Sequence, residues 1–386
     1  MTQAYGVFEG GGVKGIALVG ALARAESLGV KFAGHAGTSA GAIVASLAAA
    51  GYPASDEAGR NGYVRGSGSA APDLKTILND LTLDQFLDGR IKLEDVAEIG
   101  NLFRPIYAEM FADLTKFFEG STWKKWRMYK KLREKYRAQV AVLPKIKQIV
   151  DHLRIEKGIY RTATFTKWLD GHLKGRPEVV GPDGEVTFGS MKSAGRNLKV
   201  IATDLRARRP RLYDSTSFAG TRVVDAVRHS MSIPFFFCPC PENDNYFVDG
   251  GLLSNFPAWA FDSERKQARD AGQAEPTLLG FRLISDELSK PVDVTPQWSP
   301  FGQFGAYAVA VFNALMEGTD HLQTREIDGL ITIPIPIRKD IAATSFGIDL
   351  PQRDQLFTAG WTEAGKRLSQ SGVGVKLGIA GKAGAS

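Results

Sequence analysis

Cysteine is nearly absent from this chain: 386 residues carry two, Cys238 and Cys240. Two thiols with one proline between them make no disulfide framework. With no second Cys pair and no histidine cluster nearby, they make no zinc site either. They are expected to be buried, inert thiols. Long apolar runs are also missing. None approaches the roughly 18 to 20 residues that span a bilayer, and the N-terminus has no basic-then-apolar pattern of a secretory signal. A cytoplasmic protein, peripheral to membranes at most, is expected. There is no internal repeat. Hydrophobic residues at 44% and charged residues at 23% match ordinary globular usage, which excludes a disordered, collagenous or coiled-coil chain. Glycine is plentiful: 42 residues, about 11% against a usual share of about 7%. Such an excess points to tight turns and close backbone approaches.

The net charge of +6 is concentrated in one place. Residues 116–137 hold nine basic side chains: Lys116, Lys124, Lys125, Arg127, Lys130, Lys131, Arg133, Lys135 and Arg137. Only Glu119 and Glu134 oppose them, so the segment carries +7 and the rest of the chain −1. Phe117, Phe118, Trp123, Trp126, Tyr129 and Tyr136 are interleaved with these cations. No other segment is comparably basic, so nucleic acid is not an expected partner. A solvated helix face is the plain reading. Docking on an anionic membrane surface is the reading that uses both the cations and the aromatics.

Apolar residues 4–8 read as a buried strand, and residues 13–28 as a helix closed by Gly29. Residues 30–36 read as a second strand and 42–50 as a second helix. Such a βαβα start argues for a mostly parallel sheet. Residues 55–72 are a loop rich in Gly, Ser and Ala, and residues 74 to about 173 read as mainly helical. Strand patterning returns from Val186, with strands expected at 198–202, 246–248, 278–283 and 330–335. Helices are expected at 221–229 and 304–316. The fold expected is α/β, a mainly parallel central sheet flanked by helices. It forms one domain over residues 1–386, with a helical insertion or cap at 74–157 and a flexible tail at 372–386.

Three glycine-bearing turns carry the chemistry. Gly37-Thr38-Ser39-Ala40-Gly41 matches G-x-S-x-G between a strand and a helix, the setting of a nucleophile elbow. Gly10-Gly11-Gly12-Val13-Lys14-Gly15 exposes backbone N–H groups at a helix start, fit to hold an oxyanion or a phosphate. It also satisfies G-x-G-x-x-G, but a dinucleotide site needs an acidic residue at the end of the second strand. That strand ends at His35-Ala36-Gly37, and Glu26 lies inside the helix. Phe247-Val248-Asp249-Gly250-Gly251 is an apolar strand running into an aspartate. A serine nucleophile needs a base, and the histidines serve poorly. His35 precedes the elbow on its own strand, His152 and His172 lie in or beside the insertion, and His229 sits in a helix. His321 alone has the order of a Ser–Asp–His triad, without a motif around it. A carboxylate can take the serine proton itself. Asp204 is the second candidate for that role.

Together these residues resemble the patatin-like phospholipase family of lipid acyl hydrolases. The family's glycine loop, G-x-S-x-G elbow and late Asp-Gly-Gly read here as Glu9 to Gly15, Gly37 to Gly41 and Asp249-Gly250-Gly251, in the family's order. Ser230-Met231-Ser232-Ile233-Pro234, with Phe237 and Pro239, and Asn255-Phe256-Pro257 are family-like too. The resemblance covers residues 5–50 and about 158–260. Lys14 stands where arginine is commoner, and Glu9 where many members have aspartate. The resemblance implies hydrolysis of fatty acyl esters of membrane glycerophospholipids, releasing free fatty acid, through a Ser39–Asp249 dyad. Oxyanion donors would come from Gly10, Gly11, Gly12 and Ala40, with neither metal nor cofactor. An esterase or thioesterase acting on soluble esters is the enzyme alternative, and a regulatory protein on the same scaffold the non-enzyme one. Phe235, Phe236 and Phe237 line an acyl pocket or pack in the core.

Overall fold

The computed structural model describes residues 3–55, 72–81, 122–285, 329–337 and 348–377, with the single positions 88, 113, 327 and 379. Its strands are β1 (Gln3–Phe8), β2 (Lys31–Thr38), β3 (Gly158–Tyr160), β4 (Leu198–Asp204), β5 (Arg209–Tyr213), β6 (Phe235–Phe237), β7 (Cys240–Glu242), β8 (Asn245–Asp249), β9 (Thr277–Ser285) and β10 (Leu330–Ile337). Eight of them form one sheet in the order β10-β9-β1-β2-β4-β8-β7, with β5 added to β4. The β10, β9, β1, β2 and β4 pairings are parallel, while β5, β7 and β8 join antiparallel. The central sheet is therefore mainly parallel, with helices against it, as expected.

Every strand read from the sequence lies on an observed one, and most run a residue or two longer. β3, β5, β6 and β7 have no counterpart in that reading. Their segments are short, and pairing rather than an apolar run defines them; β3 and β6 form a separate parallel ladder. β3 also interrupts the stretch expected to be helical to about residue 173. The helix expected at 221–229 is Val223–Ser230, while the one expected at 304–316 lies outside the described residues. In β10 the buried positions alternate with outward Pro334 and Pro336. Proline lacks the N–H for a second ladder, so it suits a strand paired on one side.

α1 (Gly15–Ser27) buries ten of its thirteen residues and α2 (Ala40–Ala49) nine of its ten. Both are therefore apolar all round, as a helix packed on every side must be. α1 packs against the helix Leu350–Leu368, which begins with a capping box between Asp349 and Gln352. Glycines set that contact. A Cβ on Gly20 would stand 1.9 Å from the Phe357 carbonyl oxygen, and one on Gly360 would stand 1.9 Å from that of Ala17. Gly360→Ala gains roughly 1 kcal/mol of helix propensity but must push two backbones apart, a strain of about 1–3 kcal/mol or more. It is expected to destabilise. Gly171→Ala in the helix Ala163–Lys174, where an added Cβ meets nothing within 4 Å, is expected to stabilise. Urea midpoints of the two variants should shift in opposite directions; a neutral Gly360→Ala would show that the helix pair separates without cost.

Within 74–157, the helix Leu74–Asn79 buries Leu74 and Ile77 in the main core. The helices Thr122–Lys135 and Arg137–Glu156 meet at the buried Tyr136, whose hydroxyl donates to Asp113 at 2.7 Å. Residues 372–377, read from the sequence as the start of a flexible tail, belong instead to the helix Ser371–Leu377. Leu377 and the following Ile379 are buried against the core, and that burial holds them.

Candidate active site

β2 and β8 converge on one edge of β4. Val200, Ile201 and Ala202 each have a β5 partner on one side. On the other side Val200 and Ile201 pair with Gly37 and Thr38, and Ala202 pairs with Asp249. β2 thus ends at Thr38 and β8 at Asp249, at adjacent positions and from opposite directions. Residues 210 apart in the chain meet there: Ser39 Oγ donates to Asp249 Oδ2 at 2.6 Å.

Ser39 has φ 53 and ψ −124, a left-handed conformation that costs a non-glycine residue on the order of 1–3 kcal/mol. The turn that imposes it has no room for side chains. A Cβ on Gly37 would come within 2.2 Å of the Gly41 carbonyl oxygen, and one on Gly41 within 2.3 Å of that of Phe8. The spacing of the motif is therefore a steric requirement. The Ser39 N–H donates to Ser230 Oγ at 2.9 Å, and the same hydroxyl donates to the Ile201 carbonyl at 2.5 Å, in the gap between β2 and β8. The sequence reading placed Ser230 in a family-like block but gave it no role.

Asp249 is fully buried. Its Oδ1 accepts the Gly251 N–H at 2.8 Å, and its own N–H is held by the Ser232 carbonyl at 2.8 Å. Burial pushes its carboxyl up to about 7, against the lowering effect of the Ser39 and Gly251 hydrogen bonds. A carboxyl with such a pKa is half-ionised near neutral pH, which matches the task of moving a proton there.

The glycine loop opens beside this pair, and it corrects one expectation. The Gly10 N–H is taken by the Asn255 carbonyl at 3.0 Å, so Gly10 is no oxyanion donor. It fixes the loop instead: its own carbonyl accepts the Asn255 amide at 3.3 Å, and a Cβ on it would strike Asn255. The N–H groups of Gly11, Gly12 and Ala40 have no acceptor among the described residues. Gly12, at φ 57, starts the turn that leads into α1. Glu9 lies behind the loop, where its carboxylate accepts the Leu283 N–H and ties the loop to β9.

Ser39 lies in a cleft of about 690 Å³, counted with its open mouth. Apart from Ser39 and Arg353 the described lining residues are glycine and apolar ones, among them Val13, Ile16, Ile43, Leu78, Leu81, Met231, Ile233 and Ile348. Of the three phenylalanines, Phe237 lines this cleft and Phe235 is 67% exposed. A serine hydroxyl beside N–H groups with no acceptor among the described residues, in an apolar cleft, suits an ester attached to a hydrocarbon chain.

The rival bases are occupied elsewhere. His229 Nδ1 lies 2.8 Å from the Tyr213 hydroxyl, and burial, helped by Arg228 and Arg211, lowers its pKa to about 4. His35 is half-buried beside Phe8 and Phe32, and its pKa is lowered to about 4 by desolvation and then by Arg196. His321 lies outside the described residues. Burial alone would raise the Asp204 carboxyl, but the Ala207 N–H, Asn245 and Arg211 outweigh it and hold it at about 2. That aspartate serves the β4–β5 turn. Cys240 is buried with its Sγ 3.4 Å from Ser232 Oγ, while Cys238 is only partly buried, less than expected. Among the described residues no cluster of His, Cys, Asp or Glu could hold a metal ion.

Relatives are distant. The uncharacterized protein YqhO of Bacillus subtilis (strain 168) is 26% identical over 380 residues, covering 92% of this chain and 98% of that protein. The uncharacterized protein R571 of Acanthamoeba polyphaga mimivirus is 23% identical over 167 residues, 43% of this chain and 52% of that one. The crystal structure of VipD from Legionella pneumophila superposes with a TM-score of 0.48 at 19% identity, over 95% of this chain and 67% of its own. The patatin-like phospholipase family matches residues 6–262, a span that holds the elbow, the glycine loop and the late aspartate brought together in this cleft. With two thirds of its length so matched, the chain belongs to the patatin-like phospholipase family.

Proposed function

We propose that this protein is a serine acyl hydrolase that cleaves fatty acyl esters of membrane glycerophospholipids and releases free fatty acid. The observation that carries the reading is the 2.6 Å hydrogen bond from the strained Ser39 to the buried Asp249. Ser39 Oγ attacks the ester carbonyl as its proton passes to the Asp249 carboxylate. The N–H groups of Gly11, Gly12 and Ala40 receive the developing oxyanion; each such donor is worth about 2.7–4 kcal/mol of barrier. The protonated aspartate then supplies the proton to the leaving alkoxide. Water, deprotonated by the same carboxylate, frees the acyl group and restores the serine. The test is product analysis by mass spectrometry on phospholipids with two different chains. Free fatty acid is expected from the wild type and not from Ser39→Ala; equal release from both would overturn the reading.

The substrate implies a surface to work on. No helix among the described residues is long and apolar enough to cross a membrane, so docking would be peripheral. We assign it to the basic residues Lys116 to Arg137. Exposed apolar side chains support this reading: Tyr129 within the segment, and Val140, Leu143, Val150 and Ile155 on the helix after it. That helix leads into β3, which pairs with β6, and β6 carries Phe237 of the cleft wall. The cleft would thus sit one short ladder from the surface. Each cation near an anionic leaflet contributes about 1 kcal/mol. Reversing Lys124, Lys125, Lys130 and Lys131 to glutamate is therefore expected to abolish sedimentation with anionic vesicles at low salt while hydrolysis of a soluble ester persists. Undiminished sedimentation would leave the segment as a solvated helix face.

A further inference from the structure

Among the described residues, Arg353 is the one charged residue lining the cleft. It lies beyond residues 6–262, which match the family, on the helix that the Gly20–Gly360 contact clamps to α1. Arg353 is only 8% exposed, yet no carboxylate meets it among the described residues. Its partners are backbone carbonyls: Nε donates to Ile348 at 3.3 Å, and Nη1 donates to Leu78 at 3.1 Å and Asn79 at 2.8 Å. A guanidinium has five N–H donors. Those three bonds use Nε and both hydrogens of Nη1, so the two hydrogens of Nη2 remain without an acceptor among the described residues. Carbonyl dipoles at the end of the helix Leu74–Asn79 offset part of the charge, but a buried cation calls for an anion. Burial lowers its pKa, and nothing raises it back. A purely structural strut needs the three carbonyl bonds and no opening on the nucleophile's cleft.

We infer that Arg353 is an anion-binding residue of this cleft, whose Nη2 receives an oxyanion carried on a hydrocarbon chain, either the phosphodiester of a lipid headgroup or the carboxylate of a released fatty acid. Both present the paired oxygens that a guanidinium recognises. The inference rests on the acyl-hydrolase reading for its choice of ligand, so its test avoids turnover. Binding of dodecyl methyl phosphate, dodecanoate and uncharged dodecanol is measured by calorimetry below their aggregation thresholds. The protein is Ser39→Ala, with and without Arg353→Gln. At least one anionic amphiphile is expected to bind Ser39→Ala about tenfold or more tighter than dodecanol. In the double variant that preference is expected to collapse to within about twofold, with dodecanol affinity unchanged. A preference for the phosphodiester assigns the headgroup, and one for dodecanoate assigns the product. Where Arg353→Gln does not fold, Arg353→Lys keeps the charge without the fork and is expected to lose most of the preference. No preference for either anion in Ser39→Ala, or a preference that survives loss of the guanidinium, overturns the inference. Hydrolysis by the wild type stands or falls separately, in the product analysis above.

Discussion

Ser39→Ala and Asp249→Ala are each expected to lower acyl-ester turnover by a factor on the order of 10⁴ to 10⁶, the scale of losing one member of a nucleophile–base unit. The double variant is expected to be scarcely worse than either single one. The reason is the shared proton: without Asp249 the Ser39 hydroxyl has no described acceptor to take it, and without Ser39 the carboxylate has no nucleophile to activate. Residual hydrolysis would come from the free N–H groups of the glycine loop and the apolar cleft, which neither substitution touches. A serine-reactive phosphonate separates the two roles. It should label the wild type fast, Asp249→Ala slowly and Ser39→Ala at no rate above background. Near-normal turnover by Asp249→Ala would move the base to another residue, His321 being the one with the right chain order.

What the sequence made legible was whatever is decided locally. The elbow was readable because Gly37 and Gly41 are needed within a single turn, where any Cβ collides with backbone a few residues away or with the end of β1. Asp249 was readable as the end of an apolar strand before two glycines. Its distance to Ser39 was not, because that depends on β2 and β8 meeting on one edge of β4. The misreading of Gly10 has the same origin. Three consecutive glycines look alike until Asn255, 245 residues away, takes one N–H and leaves the next two. The helix Leu350–Leu368 has no counterpart in the sequence reading. Gly360 and Gly365 lie in its interior, where a glycine costs about 1 kcal/mol against alanine. Only the backbone of α1, pressed against Gly360, explains why a glycine belongs there. Arg353 lies on that same helix, so its place in the cleft was hidden along with it.

The ionisation that would let Asp249 act as the proposed base should also make it a burden on the fold. Its carboxyl rises from an ordinary 3.8 to about 7 because burial penalises the charge. The native state therefore holds this proton more tightly than the unfolded chain does. The resulting stability is complete below about pH 3.8 and is lost as pH rises through about 7. At about 1.4 kcal/mol for each pH unit between those limits, the loss comes to roughly 4 kcal/mol. The side-chain amide of the Asp249→Asn variant never ionises, yet it can still accept from the Gly251 N–H and donate to Ser39 Oγ. The variant is expected to be inactive and, above pH 7, more stable than the wild type by up to about 4 kcal/mol, with the gain vanishing towards pH 4. His35 and His229 act in the opposite direction: desolvation holds them neutral, and they cost stability as pH falls from 6.5 through about 4. They contribute equally to both proteins and cancel in the difference. Wild-type kcat/KM should climb over the same interval and level off above about pH 7, as the carboxylate forms. Denaturant midpoints of the two proteins from pH 4 to 9, set beside that rate profile, test the coupling directly. A stability difference that does not vary with pH would mean that Asp249 is not the group whose ionisation sets the rate.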